Sequence, residues 1–127
     1  MVEYVLDASA LLALLNGEEG AELVEELLPQ SVISAVNLAE VVTRLVAVGM
    51  PKKEIHEILS LLGLKIASFE EEEAFQTGFM YASTGRFGLS LGDRACLALA
   101  KVRNARAVTA DRVWKQIGGE VEVELIR

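Results

Sequence analysis

Short apolar runs alternate along the chain with longer segments in which apolar residues recur at the helical period. The first run, Val2 to Leu6, ends at Asp7, and a helical run from Ala10 to Leu15 follows at once. Between Glu18 and Leu28 the apolar positions recur about every 3.6 residues, which predicts an amphipathic helix. The same criteria predict further strands at Ser31–Ser34, Leu64–Ala67, Ala107–Thr109 and Val121–Ile126, and further helices at Ala35–Val48, Pro51–Leu62, Glu70–Ser83, Ser90–Arg103 and Asp111–Ile117.

Strands separated by helical segments indicate βα units, in which helices cover both faces of a parallel sheet. The pattern therefore predicts an α/β fold, a three-layer α/β/α sandwich with a mostly parallel central sheet. The chain of 127 residues is long enough for one such domain, spanning residues 1–127, and too short for two. Glu120, Glu122 and Glu124 alternate with apolar residues in the last strand, which is typical of the edge of a sheet.

The composition is that of an ordinary globular protein, with 52% hydrophobic and 24% charged residues. Apolar runs such as Leu11 to Leu15 are far shorter than the roughly 20 residues of a membrane span, so we expect no membrane association. No signal-peptide pattern is evident at the start. The only cysteine, Cys96, cannot form an internal disulfide, and we expect a cytoplasmic protein in which this thiol is a small buried hydrophobe.

The net charge of −7 argues against non-specific binding of nucleic acid, but the charges are unevenly distributed. Residues 1–40 contain no Lys or Arg, whereas residues 86–115 contain seven of them against two acids. These cations can be read as solvated helix faces. They also leave room for a basic rim beside an acidic pocket, in which Arg86 and Arg112 are candidate substrate contacts.

Four acids occupy positions that a parallel sheet brings to the carboxyl ends of its strands. Asp7 and Asp111 each follow a predicted strand, Asp93 lies in the first turn of a helix, and Glu40 lies in the helix after the strand Ser31–Ser34. Ligands of open α/β sheets bind at these carboxyl ends. Crowded carboxylates repel one another unless a cation intervenes, and oxygen-only ligands select hard ions such as Mg²⁺ or Mn²⁺. We therefore expect the four acids to converge on a divalent metal.

Each acid also has a structural explanation. Asp7 and Asp111 are suitable helix N-caps, and Ser90 with Asp93 has the spacing of a capping box. Glu40 and Arg44 have the i,i+4 spacing of a surface ion pair. The structural explanations treat each acid separately, whereas the presence of all four acids at the carboxyl ends of the strands favours the metal site.

The sequence lacks the residues that several other kinds of catalytic or binding site require. The only histidine, His56, lies on a helix rich in Lys and Glu, which disfavours His-based acid–base pairs and Ser-His-Asp triads. No phosphate-binding glycine loop and no Cys or His cluster for zinc is present. A Mg²⁺-binding signalling or regulatory module of receiver type is the alternative function. It would need an acidic pair after the first strand and an Asp after the third strand, where this chain has Ser68.

Four segments together resemble the motifs of PIN domains, and more closely those of the VapC ribonuclease toxins of toxin–antitoxin pairs. The resemblance covers nearly the whole chain, in order. The four segments are Val5-Leu6-Asp7-Ala8-Ser9, Asn37-Leu38-Ala39-Glu40, Leu89-Ser90-Leu91-Gly92-Asp93-Arg94-Ala95 and Val108-Thr109-Ala110-Asp111-Arg112-Val113-Trp114.

This resemblance implies a Mg²⁺- or Mn²⁺-dependent endoribonuclease that hydrolyses RNA to products with 5′ phosphate and 3′ hydroxyl ends. The metal site would consist of the four acids already named. Ser9 would support Asp7, and Thr109 would support Asp111 or a substrate phosphate. The resemblance also implies a homodimer and a small antitoxin protein as partner.

Overall fold

Five parallel strands form the centre of the molecule. The computed structural model describes residues 2–127, so Met1, the first residue of the predicted domain, lies outside the described residues. The sheet has the order β3-β2-β1-β4-β5, and every neighbouring pair is parallel, which confirms the predicted α/β class. The strands are β1 Tyr4–Leu6, β2 Ser31–Ser34, β3 Lys65–Ala67, β4 Arg106–Thr109 and β5 Val123–Leu125.

Helices cover both faces of this sheet. Val5 of β1 packs with Cys96 on one face, whereas its neighbour Leu6 packs with Ala10 and Val24 on the other. Successive strand residues point to opposite faces, so each strand needs a helical layer above and below it. The helices are α1 Ala8–Asn16, α2 Ala21–Leu27, α3 Ala35–Ala47, α4 Lys52–Leu61, α5 Glu71–Phe79, α6 Tyr81–Thr84 and α7 Leu91–Arg103, with 3₁₀ turns at Leu28–Gln30, Gly85–Phe87 and Arg112–Gln116.

Three predicted helices differ from the structure. The helix predicted from Glu18 to Leu28 is confined to Ala21–Leu27. The predicted helix Glu70–Ser83 is interrupted at Met80 and forms α5 and α6. The low helix propensities of Thr77 and Gly78 weaken the segment just before this break. The helix predicted from Asp111 to Ile117 is a 3₁₀ helix, the form commonly adopted by such short segments.

The strand order decides against the receiver-type alternative. Receiver-type folds have the flavodoxin-like order 2-1-3-4-5, in which β1 lies between β2 and β3. Here β1 lies between β2 and β4. The receiver-type fold on which the signalling-module hypothesis rests is therefore wrong. The last strand, β5, lies at the sheet edge as predicted. No described helix combines the length and apolar character needed to cross a membrane.

Candidate metal centre

A cleft of about 740 Å³ opens beside the carboxyl ends of β1 and β4. Its lining includes all four predicted acids, Asp7, Glu40, Asp93 and Asp111. They arrive from four different segments: the ends of two strands, the second turn of α3 and the first turn of α7. The parallel topology thus brings residues from across the sequence to one concave surface.

Asp7 is the buried floor of this cleft, with 4% of its surface exposed. Its Oδ1 accepts hydrogen bonds from the Ala10 amide at 2.9 Å and the Ser9 hydroxyl at 2.7 Å, and its Oδ2 accepts from the Thr109 hydroxyl at 2.7 Å. Burial nevertheless raises the pKa of Asp7 to about 6, against these hydrogen bonds, and the Asp93 charge acts in the same direction as burial. Keeping Asp7 ionised therefore lowers the stability of the folded state, and a bound cation would offset this loss.

The hydroxyls of Ser9 and Thr109 connect the ends of β1 and β4. The Ser9 Oγ accepts from the Ala110 amide at 3.0 Å, and the Thr109 Oγ1 accepts from the Asp111 amide at 3.0 Å. Each hydroxyl also donates to Asp7. The two residues therefore hold Asp7 and the backbone of Asp111 in one hydrogen-bonded network.

Glu40 lies against the first turn of α7. Its Oε1 accepts a 2.8 Å hydrogen bond from the Asn37 amide nitrogen, which also donates to the Gly92 carbonyl at 3.0 Å. A Cβ atom on Gly92 would collide with the Glu40 carboxylate. Within residues 2–127 no ion pair joins Glu40 to Arg44, so the surface-pair explanation of Glu40 is not supported.

Asp93 and Asp111 cap helices while they line the cleft. Asp93 Oδ2 accepts from the Ser90 amide at 2.9 Å, and Ser90 Oγ accepts from the Asp93 amide at 3.1 Å, which completes the predicted capping box of α7. Asp111 Oδ1 accepts from the Val113 amide at 3.0 Å and caps the 3₁₀ helix. In the described part of the chain, Asp93 Oδ1 and Asp111 Oδ2 accept no hydrogen bond from protein, so one oxygen of each acid is available to a ligand.

The donor set suits a hard divalent cation, since the cleft offers carboxylate oxygens and neither imidazole nor thiolate. Cys96 is fully buried and its pKa is raised by burial, and His56 is exposed on α4. No group of three or more metal-ligating side chains among residues 2–127 is already gathered at ligand distances. The four acids therefore line one cleft without forming a preassembled coordination sphere, and the metal site stays a prediction.

The cations of the cleft differ from those predicted. Arg44 and Arg127 line it, whereas Arg86 and Arg112 do not. Arg86 lies 4.9 Å from the ring centre of Phe87, and the Arg112 Nε donates to the Arg127 carbonyl at 3.4 Å. None of the seven cations of the basic run lines the cleft. Three of them form ion pairs elsewhere: Lys101 with Glu120, Arg103 with Glu3 and Arg106 with Glu122.

Comparison with known proteins identifies the family. Residues 4–120 match the family model described as PIN domain. The chain belongs to the PIN-domain family. No curated protein sequence matches it.

Solved structures share the fold of this PIN domain at low sequence identity. A DNA-bound VapBC from Salmonella typhimurium has 20% identity, full coverage of both chains and a TM-score of 0.77. A toxin–antitoxin complex from Klebsiella pneumoniae has 21% identity, 98% coverage of both chains and a TM-score of 0.74. VapBC-1 from nontypeable Haemophilus influenzae has 19% identity, covers 99% of this chain and 98% of its own, and has a TM-score of 0.74.

Four residues of this PIN domain's cleft region were not predicted as site residues. Arg44 had a signal, because it lies one helical turn after Glu40 and therefore on the same face of α3. Asn37 lies one turn before Glu40 on that face, but its second partner is 55 residues away. Gly92 lies in the motif segment that contains Asp93, but its contact with Glu40 exists only after α7 has packed against α3. For Arg127 the sequence gave no indication, since only the position of β5 brings it to the cleft.

Proposed function

We propose that this PIN domain is a metal-dependent endoribonuclease, a toxin of VapC type that hydrolyses RNA phosphodiesters. The observation that carries the proposal is the set of four carboxylates lining one cleft, with Asp7 buried at its floor. An enzyme that cleaves nucleic acid at such a site must neutralise both these acids and the substrate phosphate. A hard divalent cation accomplishes both.

Asp7, Glu40, Asp93 and Asp111 are the residues that would hold Mg²⁺ or Mn²⁺. When bound, such an ion would lower the pKa of a coordinated water and stabilise negative charge on the phosphodiester. The chain itself fixes the ligands: Ser9 and Thr109 restrain Asp7, and the Ser90 amide restrains Asp93.

Arg44 and Arg127 are the substrate contacts that we propose in place of Arg86 and Arg112. Arg44 is exposed on the cleft wall, where its charge can attract the RNA backbone. Arg127 is held by Glu18 Oε1 at 3.1 Å and the Glu19 carbonyl at 3.0 Å, so its guanidinium is oriented before substrate arrives.

We further propose a small antitoxin protein as partner, a homodimer as the functional unit and the cytoplasm as its location. The similar structures support the first point, because they are structures of VapBC or toxin–antitoxin complexes. A short reading frame for a DNA-binding protein beside the gene would agree with it. The product of that frame should copurify with this chain and block cleavage.

The central test is cleavage of a single-stranded RNA by the purified protein. We expect cleavage with Mg²⁺ or Mn²⁺, none in excess EDTA, and recovery when Mn²⁺ is restored in excess. The products should carry 5′ phosphate and 3′ hydroxyl ends. Cleavage that persists undiminished in EDTA would overturn the metal-dependent mechanism, and equal cleavage of DNA of the same sequence would overturn the assignment to RNA.

A further inference from the structure

We propose that Asn37 is a positioning residue of the metal site, which holds Glu40 against α7 so that Glu40 and Asp93 face the same ion. The inference rests on the proposed metal site and adds a residue that is not itself a ligand. It explains how an acid on α3 is kept in register with an acid on α7, although the two lie 53 positions apart in the sequence.

The Asn37 side chain is fixed by its two partners. It is 1% exposed, and its Nδ2 donates to Glu40 Oε1 at 2.8 Å and to the Gly92 carbonyl at 3.0 Å. Both partners are acceptors only, so the amide nitrogen, and not the amide oxygen, must face them. One NH₂ group therefore joins the Glu40 carboxylate to the residue that precedes Asp93.

Gly92 completes the arrangement. The Glu40 carboxylate occupies the space that a side chain at this position would need. Gly92 has no positive φ, so backbone conformation does not require glycine there. The requirement comes from Glu40, whose carboxylate rests directly on the α7 backbone.

The side-chain amide of Asn37 lowers the stability of the fold in one respect. Its Oδ1 is buried and has no hydrogen-bond partner in the described chain. A buried acceptor without a donor destabilises a fold, and an apolar residue of similar size would avoid this penalty. The two donated hydrogen bonds are the compensating feature, and one of them ends on a proposed metal ligand.

The experiment measures Mn²⁺ binding by calorimetry and by the Mn²⁺-induced rise in melting temperature, without reference to cleavage. Asn37→Leu removes both donors and keeps the number and branching of the side-chain heavy atoms. We expect its Mn²⁺ affinity to fall by about 10–100-fold, the usual loss when a residue that orients a metal ligand is removed. Thr77→Val is the matched control, because Thr77 is equally buried, its hydroxyl is also unpartnered, and it does not line the cleft. This control should bind Mn²⁺ as the native protein does.

A double-mutant cycle separates positioning from a general effect on stability. If Asn37 acts through Glu40, Asn37→Leu should cause no further loss of Mn²⁺ affinity in a Glu40→Gln background. Gly92→Ala tests the same contact from α7 and does not depend on Asn37→Leu being stable. Alanine favours a helix more than glycine does, so this variant should fold, yet it should displace the Glu40 carboxylate and weaken Mn²⁺ binding.

Each outcome has a separate meaning. If the native protein binds no Mn²⁺, both the proposed metal site and this inference are overturned. If the native protein binds Mn²⁺ and both Asn37→Leu and Gly92→Ala bind it equally well, the metal site stands and the inference is overturned. An equal loss in Thr77→Val, or an additive loss in the Glu40→Gln background, would also overturn it.

Discussion

Thr109 donates its hydroxyl hydrogen to Oδ2 of Asp7 over 2.7 Å, across the boundary between β4 and β1. The same hydroxyl oxygen accepts the Asp111 amide at 3.0 Å. One side chain thus fixes the carboxylate that follows β1 and the backbone of the acid that follows β4. This buried hydroxyl group therefore helps to fix the position of one acid relative to the other, together with the hydroxyl of Ser9.

Replacing this hydroxyl should weaken metal binding. Thr109→Val keeps the shape of the side chain but leaves the Asp111 amide without its acceptor and Oδ2 of Asp7 without its donor. We expect a loss of about 1–3 kcal/mol in the free energy of unfolding and of about tenfold or more in Mn²⁺ affinity. Thr109→Ser retains the hydroxyl and should recover most of the affinity. Urea unfolding and Mn²⁺ titration of the two variants test this, and indistinguishable affinities would contradict it.

The metal-free protein should lose stability as pH rises through the pKa of Asp7. Folding raises this pKa from 3.8 to about 6, so the folded state holds the proton more tightly than the unfolded state. This contribution is fully present below about pH 4 and is lost by about pH 7, and it amounts to roughly 2–3 kcal/mol.

Asp7→Asn isolates this contribution, because the amide stays neutral at every pH. Urea unfolding in EDTA from pH 4 to pH 8 should show the variant gaining stability relative to the native protein up to about pH 7, with no further change above it. Parallel stability curves for the two proteins would show that Asp7 is not the group responsible.

Asp93→Asn should separate chemistry from helix capping. The amide oxygen of Asn can accept the Ser90 amide as the Asp93 carboxylate does, so we expect the free energy of unfolding to change by less than about 1 kcal/mol. RNA cleavage should fall by orders of magnitude because a ligand charge is lost. Asp93→Ala is the control that loses the cap as well, and it should be the less stable of the two. Near-native cleavage by Asp93→Asn would mean that Asp93 only caps α7.

RNA binding should depend on Arg44 more than on Arg86. Each phosphate contact that is lost lowers the salt dependence of binding, by about 0.7 in the logarithmic slope for a single strand. We expect Arg44→Gln to weaken binding and flatten this slope, and Arg86→Gln to change neither. Binding measured between 50 and 200 mM salt, in the Asp93→Asn background to prevent cleavage, tests the pair. The opposite ranking would place the RNA along the basic run of the sequence.

Element type and order were predictable because hydrophobic periodicity reports which side of each segment is buried. The strand Ser31–Ser34 was predicted to the residue, since a buried run lies there between two helical patterns. The outer strands are shorter than predicted: β5 begins at Val123, not at Val121, because pairing with β4 ends there even though the apolar alternation continues. Hydrophobic periodicity indicates which side chains are buried, but it does not indicate where backbone pairing between two strands ends.

The sequence presented the cap and metal-site roles of the acids as alternatives, whereas the structure shows acids that cap helices and also line the cleft, so the two roles are compatible. A carboxylate has two oxygens, so Asp93 can bond the Ser90 amide with one and face the cleft with the other. The supporting contacts were less accessible, because Asn37 and Gly92 meet only after α3 and α7 have packed. Local patterns carry no information about such pairings.

Under the proposed function, Asp7, Asp93 and Asp111 serve both the chemistry and the fold, which has a genetic consequence. Each of these acids also supports a helix terminus, a task that Asn performs about as well. The codons for Asp and Asn differ at one base, so the chemistry can be lost by a point mutation that spares the fold. Selection against the proposed toxin activity should therefore leave intact, inert copies of this chain in a population. Such copies would still occupy any partner that recognises the folded surface, and would compete there with active ones.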